Sequence, residues 1–318
     1  MLPNYLILTP DGVGSTYLQR ALTVYLHSAG LDYWNTHALL NGLDLLDGNL
    51  YKDFNFGYSQ TIPEICGLLE STSNSLVSRI AQYHITGRLE NKKENYQQLY
   101  DVCNKKFDKI FYCTRDPFEY ALSWGIRRNT KINNVYSIKE RILIHGEDIK
   151  QTLDLEYFKK KLKEYSAYEY WAKDNFNITR AVNYNNMHVD VDNIMKELTG
   201  LDHNIKDRFG ISLQDYSTAR YMTSMYTQTK DRKYLLDKDN ARKVLKLYSF
   251  ITSFDREILP SNIPVKMNTM QDKQKRVTNF DDAVEVYNKW TSTTNSHMPI
   301  SQDDIAQKIS TESKIYAT

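Results

Sequence analysis

Apolar residues at Tyr5, Leu6, Ile7 and Leu8 make a run of strand length, followed by a turn-rich stretch from Thr9 to Gly14. The period then changes. Leu18, Ala21, Leu22, Tyr25 and Ala29 recur at helical spacing after Ser15 and Thr16, and Gly30 suits the residue just beyond the helix end. The opening of the chain is therefore expected to be strand, glycine loop and helix.

The same alternation returns further along. Tyr96, Leu99, Tyr100, Cys103 and Phe107 predict a helix from Glu94, and Lys109 to Cys113 reads as a buried strand. Asp116, Pro117 and Glu119 then form a helix start: a capping carboxylate, a proline at the first helical position and a capping-box glutamate. Helices are expected over 138–149 and 155–176, the latter with Phe158, Leu162, Tyr165, Ala172 and Phe176 as a packing stripe. Ile178 to Tyr184 is a further strand candidate, followed by a helix from about Val191 to Leu198 that stops at Gly200. Further helices are expected over 241–254, 280–290 and 301–309. Residues 31–55 show no dominant period and read as helix and loop, and residues 75–89 are β-branched and mixed. Strands alternating with helices argue for an α/β fold: a three-layer parallel sheet with helical insertions and a helical C-terminal region. The expected division is an α/β domain over 1–260 and a helical extension over 261–318 packed on it.

Composition narrows the chemistry. A formal charge of +2 over 318 residues gives no global field of the kind that marks nucleic-acid binding, so any anion site has to be local. No run of about eighteen apolar residues occurs and the N-terminus lacks a signal-peptide pattern, so a soluble cytoplasmic protein with no membrane partner is expected. Cys66, Cys103 and Cys113 are few and without metal-ligand spacing, which argues against a disulfide framework. The polar, basic stretch 266–276 reads as a solvated face.

Two places carry candidate chemistry. Gly12 and Gly14 allow the first loop to turn several backbone N–H groups toward one point, where the following helix adds unpaired donors and partial positive charge. The loop is neither a Walker A sequence nor a dinucleotide fingerprint, and a plain strand-to-helix turn would use the same glycines. Arg115 stands at the end of the Lys109–Cys113 strand, with Ser123 eight residues on, in the second turn of the next helix. Ligands of open α/β sheets bind at the carboxyl ends of strands. Taken alone, Arg115 could equally serve a structural ion pair.

Together these segments resemble the sulfotransferases that use 3′-phosphoadenosine 5′-phosphosulfate (PAPS). The family has a P-loop-like strand and turn ending in Gly-Thr/Ser-Thr, an aromatic and Leu; here it is Gly14-Ser15-Thr16-Tyr17-Leu18. It also has an Arg at a strand end with a Ser eight residues later, matched by Arg115, Asp116, Pro117 and Ser123. A looser Tyr-containing segment ahead of a helix looks like Tyr184-Asn185-Asn186-Met187. These matches touch about a third of the chain.

The resemblance implies a co-substrate with anions at both ends of an adenosine. Gly12, Val13, Gly14, Ser15 and Thr16 would hold the 5′-phosphosulfate, Arg115 and Ser123 the 3′-phosphate, and Tyr17 and Tyr184 would lie near adenine. It also implies sulfuryl transfer without a metal, to a hydroxyl or amine of a small-molecule or carbohydrate acceptor. His84 is the expected base, because the family often places His or Glu between the two cofactor motifs. One departure stands out. Where many members carry a loop Lys or Arg, this chain has Gly12, so a cation has to come from elsewhere (Arg20, Arg79, Arg88, Arg127, Arg128 or residues 266–276) or transfer is slow. The competing classes are a non-catalytic nucleotide- or sulfate-binding protein on the same fold and a P-loop small-molecule kinase, the latter disfavoured by the missing Walker A lysine.

Overall fold

The computed structural model describes residues 2–10, 12–36, 61–81, 93–130, 150–187, 189–254 and 270–294. Its first elements are β1 (Tyr5–Thr9), α1 (Ser15–Ser28), β2 (Trp34–Thr36), α2 (Ile62–Ser71), β3 (Leu76–Ala81), α3 (Lys93–Lys106) and β4 (Lys109–Thr114). Next come α4 (Pro117–Thr130), α5 (Leu155–Asn175), β5 (Arg180–Asn183), α6 (Tyr184–Met187), α7 (Val191–Thr199), α8 (Ile205–Phe209) and α9 (Leu213–Thr229). The last are α10 (Lys238–Phe254), α11 (Met270–Arg276) and α12 (Phe280–Thr294). The chain divides into two compact units, one of Met1–Thr114, Tyr168–Tyr216 and Asp239–Leu259, the other of Arg115–Ala167, Ser217–Lys238 and Pro260–Thr318.

The first unit holds the expected α/β fold, a five-stranded sheet in the order β2-β3-β1-β4-β5 with every pairing parallel. The two-residue period of each strand sorts its side chains into two layers. Leu6 and Leu8, Leu76 and Ile80, and Ile110 and Tyr112 face a core shared with Ile65 and Leu69 of α2, Leu99 and Cys103 of α3, and Ala172 and Phe176 at the end of α5. Each fully buried aliphatic side chain contributes roughly 1.5–3 kcal/mol. The alternate residues, Ile7, Val77 and Arg79 among them, take the other face, against which α1 packs; α1 in turn lies on α7. Helices thus cover both faces of the sheet.

Gly30 does end α1 as expected. With φ 80° it takes the left-handed position, its N–H reaching His27 O and the N–H of Leu31 reaching Leu26 O. β2 lies inside a segment expected to be helix and loop; it is a short strand that, among the described residues, pairs with β3 at one end of the strand order. The order reverses around β1. Its own connection leads toward the β2 edge, whereas that of β4 leads toward the β5 edge, so the adjacent carboxyl ends of β1 and β4 form the topological switch point.

In the second unit, Phe118 of α4 is the centre of an aromatic core. Its ring meets Phe158, Phe280 and Tyr287 edge-on, at centroid distances of 5.7, 5.6 and 5.4 Å. The stretch expected to be solvated behaves differently where it is described: Lys273 and Arg276 on α11 are buried, at 3% and 5% exposure. α11 packs within this unit, and Gln151 bridges to Val277 directly after it. The expected helices over 138–149 and 301–309 lie outside the described residues. No helix among the described residues is long and apolar enough to cross a membrane.

Candidate functional site

The loop after β1 owes its path to two glycines in the left-handed region, Gly12 at φ 80° and Gly14 at φ 75°. Val13 between them is fully buried and anchors the turn. Gly14 is also the N-cap of α1: its carbonyl accepts the first helical bond from Leu18 N at 3.1 Å, and no side chain caps the turn. The N–H groups of a helix's first turn have no acceptor within the helix itself, and here that turn follows directly on the glycine loop. Tyr184, at the start of α6, packs against this backbone. A Cβ at Gly14 would stand 2.9 Å from both Cδ2 and Cε2 of its ring.

Behind the loop is a buried arginine. Arg79 lies on the α1 face of β3, paired with Ile7 of β1, and is 6% exposed. Its Nη1 donates to Ser15 Oγ at 3.2 Å and to Thr16 Oγ1 at 2.7 Å. Cys113, on the same face of β4, also feels this charge. Burial pushes its thiol up to about 12 and the guanidinium offsets part of that rise. Arg79, one of the cations considered as substitutes for a loop Lys or Arg, is thus joined to the Ser15 and Thr16 hydroxyls by hydrogen bonds.

Tyr168 of α5 fixes the root of the loop. Its hydroxyl accepts from Thr9 N–H at 2.7 Å and donates to Ile80 O at 3.2 Å, tying the carboxyl ends of β1 and β3 together. The sequence marked this helix only as an aromatic packing stripe, and a hydroxyl aimed at a strand end leaves no periodic signal. Tyr17, expected near adenine, is 2% exposed, and its hydroxyl lies 3.5 Å from Gln214 Oε1, so its ring is part of the core.

In the second unit, the Arg-to-Ser interval produces a direct contact. Asp116 Oδ1 accepts from Glu119 N–H at 3.0 Å, starting α4 at Pro117 as its capping pattern predicts. Two turns later Ser123 comes beneath the strand-end arginine, and Arg115 Nη2 donates to Ser123 Oγ at 3.1 Å. Arg115 Nε stands 3.6 Å from Glu119 Oε2, and both side chains are buried, at 6% and 1% exposure. Tyr165 clamps the backbone here, its hydroxyl accepting from Arg115 N–H at 3.0 Å and donating to Arg115 O at 2.7 Å. Arg115 is thus held at main chain and side chain by three residues of its own unit, Tyr165, Ser123 and Glu119.

No family model matches the chain, and no curated protein matches it.

His84, the expected base, lies outside the described residues, three positions after the end of β3. Arg88 also lies outside them. The described residues accordingly offer two preorganised donor clusters, one in each unit. Gly12, Gly14, Ser15, Thr16 and Arg79 form the first, and Arg115 with Ser123 forms the second. Each has the donors that an oxyanion requires.

Proposed function

We propose that the chain binds PAPS and transfers its sulfuryl group to a hydroxyl or amine of a small-molecule or carbohydrate acceptor. The assignment of its two ends follows the family resemblance: the loop and the start of α1, with the Tyr184 ring for the base, are the donors for the 5′ end, and Arg115 and Ser123 are the donors for the 3′-phosphate. The observation that carries this is the Arg115–Ser123 hydrogen bond. A serine two turns into a helix, bonded to an arginine at the preceding strand end, makes a charge-assisted pair of donors for one phosphate. The left-handed glycines and the buried cation behind Ser15 and Thr16 support the other half.

The chemistry is an in-line displacement. An acceptor oxygen or nitrogen forms a bond to sulfur while the bond from sulfur to the bridging phosphate oxygen breaks, and the electron pair leaves on the phosphate. The chain's part is to bind and orient both ends, to give donors to the equatorial and departing oxygens from the first turn of α1, and to take the acceptor proton. His84 is the proposed base for that proton.

Gly12 favours a second reading, in which the chain binds the nucleotide without turning it over, because the loop itself carries no cation. Calorimetry with 3′-phosphoadenosine 5′-phosphate (PAP), AMP and ATP tests the shared half. PAP is expected to bind most tightly, and Arg115→Ala to remove most of that preference; equal affinity for the three would overturn both readings. Labelled PAPS separates them. Transfer or sulfate release that drops in His84→Ala supports catalysis, and tight PAP binding with no turnover supports a binding protein.

A further inference from the structure

We infer that Arg79 is a positioning residue, whose guanidinium sets the Ser15 and Thr16 hydroxyls as a pair of donors aimed at the 5′-phosphate end of the nucleotide. This rests on the nucleotide binding proposed above.

A hydroxyl has one hydrogen and two acceptor lone pairs, whereas a guanidinium only donates. Arg79 Nη1 fills a lone pair on Ser15 Oγ and one on Thr16 Oγ1, at 3.2 and 2.7 Å. Neither hydroxyl hydrogen can then point at Arg79, and both are directed to other acceptors. A positive charge behind the oxygen polarises each O–H bond and makes it the stronger donor.

Position decides that Arg79 works through the hydroxyls and does not reach out itself. It sits within the sheet beside Ile7, is 6% exposed, and occupies the face that α1 covers. Ser15 and Thr16 are the first two residues of α1, where the backbone donors already converge. The positive charge that Gly12 does not supply from the loop is delivered from the neighbouring strand through two side-chain oxygens.

The test compares PAP with adenosine 3′-phosphate, which lacks the 5′-phosphate, by calorimetry on the full chain. In the wild type PAP is expected to bind more tightly. Arg79→Met and Thr16→Val are each expected to cut that affinity ratio about tenfold, with adenosine 3′-phosphate binding unchanged. Arg79→Lys restores part of the ratio, and the double variant Arg79→Met/Thr16→Val loses less than the two single losses combined, since the Thr16 hydroxyl is one of the two through which Arg79 acts. An unchanged ratio in Arg79→Met, or an equal loss for both nucleotides, would overturn the inference and leave the proposed function standing. If Arg79→Met fails to fold, Thr16→Val decides: an unchanged ratio there overturns it. Equal wild-type affinity for the two nucleotides would instead remove the 5′-phosphate site altogether, and the proposed function with it.

Discussion

The ring of Tyr184 lies so close to Gly14 that a Cβ on the glycine would come within 2.9 Å of two ring carbons. Gly14 is also left-handed, at φ 75°. Two independent penalties therefore fall on Gly14→Ala. The backbone alone costs about 1–2 kcal/mol for an L-residue in that region, and the overlap adds about 1–3 kcal/mol. Pairing the change with Tyr184→Ala removes the second penalty and keeps the first. Urea denaturation should accordingly show Gly14→Ala/Tyr184→Ala to be more stable than the sum of its parts; strict additivity would mean that the ring yields freely.

Glu119 and Arg115 form a buried ion pair at 3.6 Å. Removing one member of such a pair leaves the other uncompensated, at a cost of about 3–5 kcal/mol. Glu119→Gln is expected to lower stability by that order. Affinity for PAP should move the other way and rise severalfold, because a carboxylate next to the proposed phosphate site is gone. Thermal unfolding and calorimetry on the same variant read both effects, and a fall in both would place Glu119 among the groups that hold Arg115 in its binding geometry.

His203 gives stability a pH dependence. Its ring nitrogen Nε2 lies 2.8 Å from Ser28 Oγ and its ring meets Tyr25 edge-on. Burial, then the charge of Arg208, holds it below its ordinary value of 6.5, with Lys196 adding to the shift and Asp207 opposing it. The unfolded chain therefore binds the proton more readily than the folded one. Stability from this group is complete above 6.5 and is lost as pH falls through the lowered folded value. Denaturation midpoints should decline from about pH 7 to pH 5, and His203→Gln should flatten that slope.

The thiols are expected to be silent. Burial pushes Cys66 up to about 11 and Cys113 up to about 12, and it raises Cys103 as well. Only the thiolate reacts readily, so at about pH 8 a chromogenic disulfide should label none of the three in the folded chain. All three should react in guanidinium. Native labelling at Cys113 would show that the sheet face carrying Arg79 opens to solvent.

What the sequence revealed divides along physical lines. β1, α1, β4 and the start of α4 each announce themselves through a period and a cap of their own, and the Arg115–Ser123 contact follows from a fixed interval on such a helix. α2 carries a local signal of its own: Thr61 Oγ1 accepts from Glu64 N–H at 3.3 Å while Thr61 N–H donates to Glu64 Oε2 at 2.6 Å, the capping box that Thr-x-x-Glu spells. α9 was harder to see. Its first N–H groups, at Leu213 and Gln214, donate to Asp192 at 3.1 and 3.4 Å, a contact across 21 and 22 residues that no local pattern encodes, and the local share of the cap is Ser212 Oγ, which accepts from Asp215 N–H at 3.0 Å. β2 is three residues long, too short for alternation to register. Arg79 was visible only as one cation among several, because its meaning depends on β3 lying beside β1. The burial of Lys273 and Arg276 likewise comes from tertiary packing, which a run of charges does not forecast.

The central place of β1 in the sheet has a consequence for how the chain comes into being. Its partners are β3 and β4, so a strand that leaves the ribosome before either of them waits for residues as far on as Thr114 before both of its edges are paired. Tyr168, which ties the end of β1, emerges later still. Pairings between such distant segments form slowly and leave strand edges open in the interval. An N-terminal fragment ending before β4 should therefore hold the whole glycine loop in its sequence and yet bind no anion, since assembly of the loop is a late event in the life of the newborn chain.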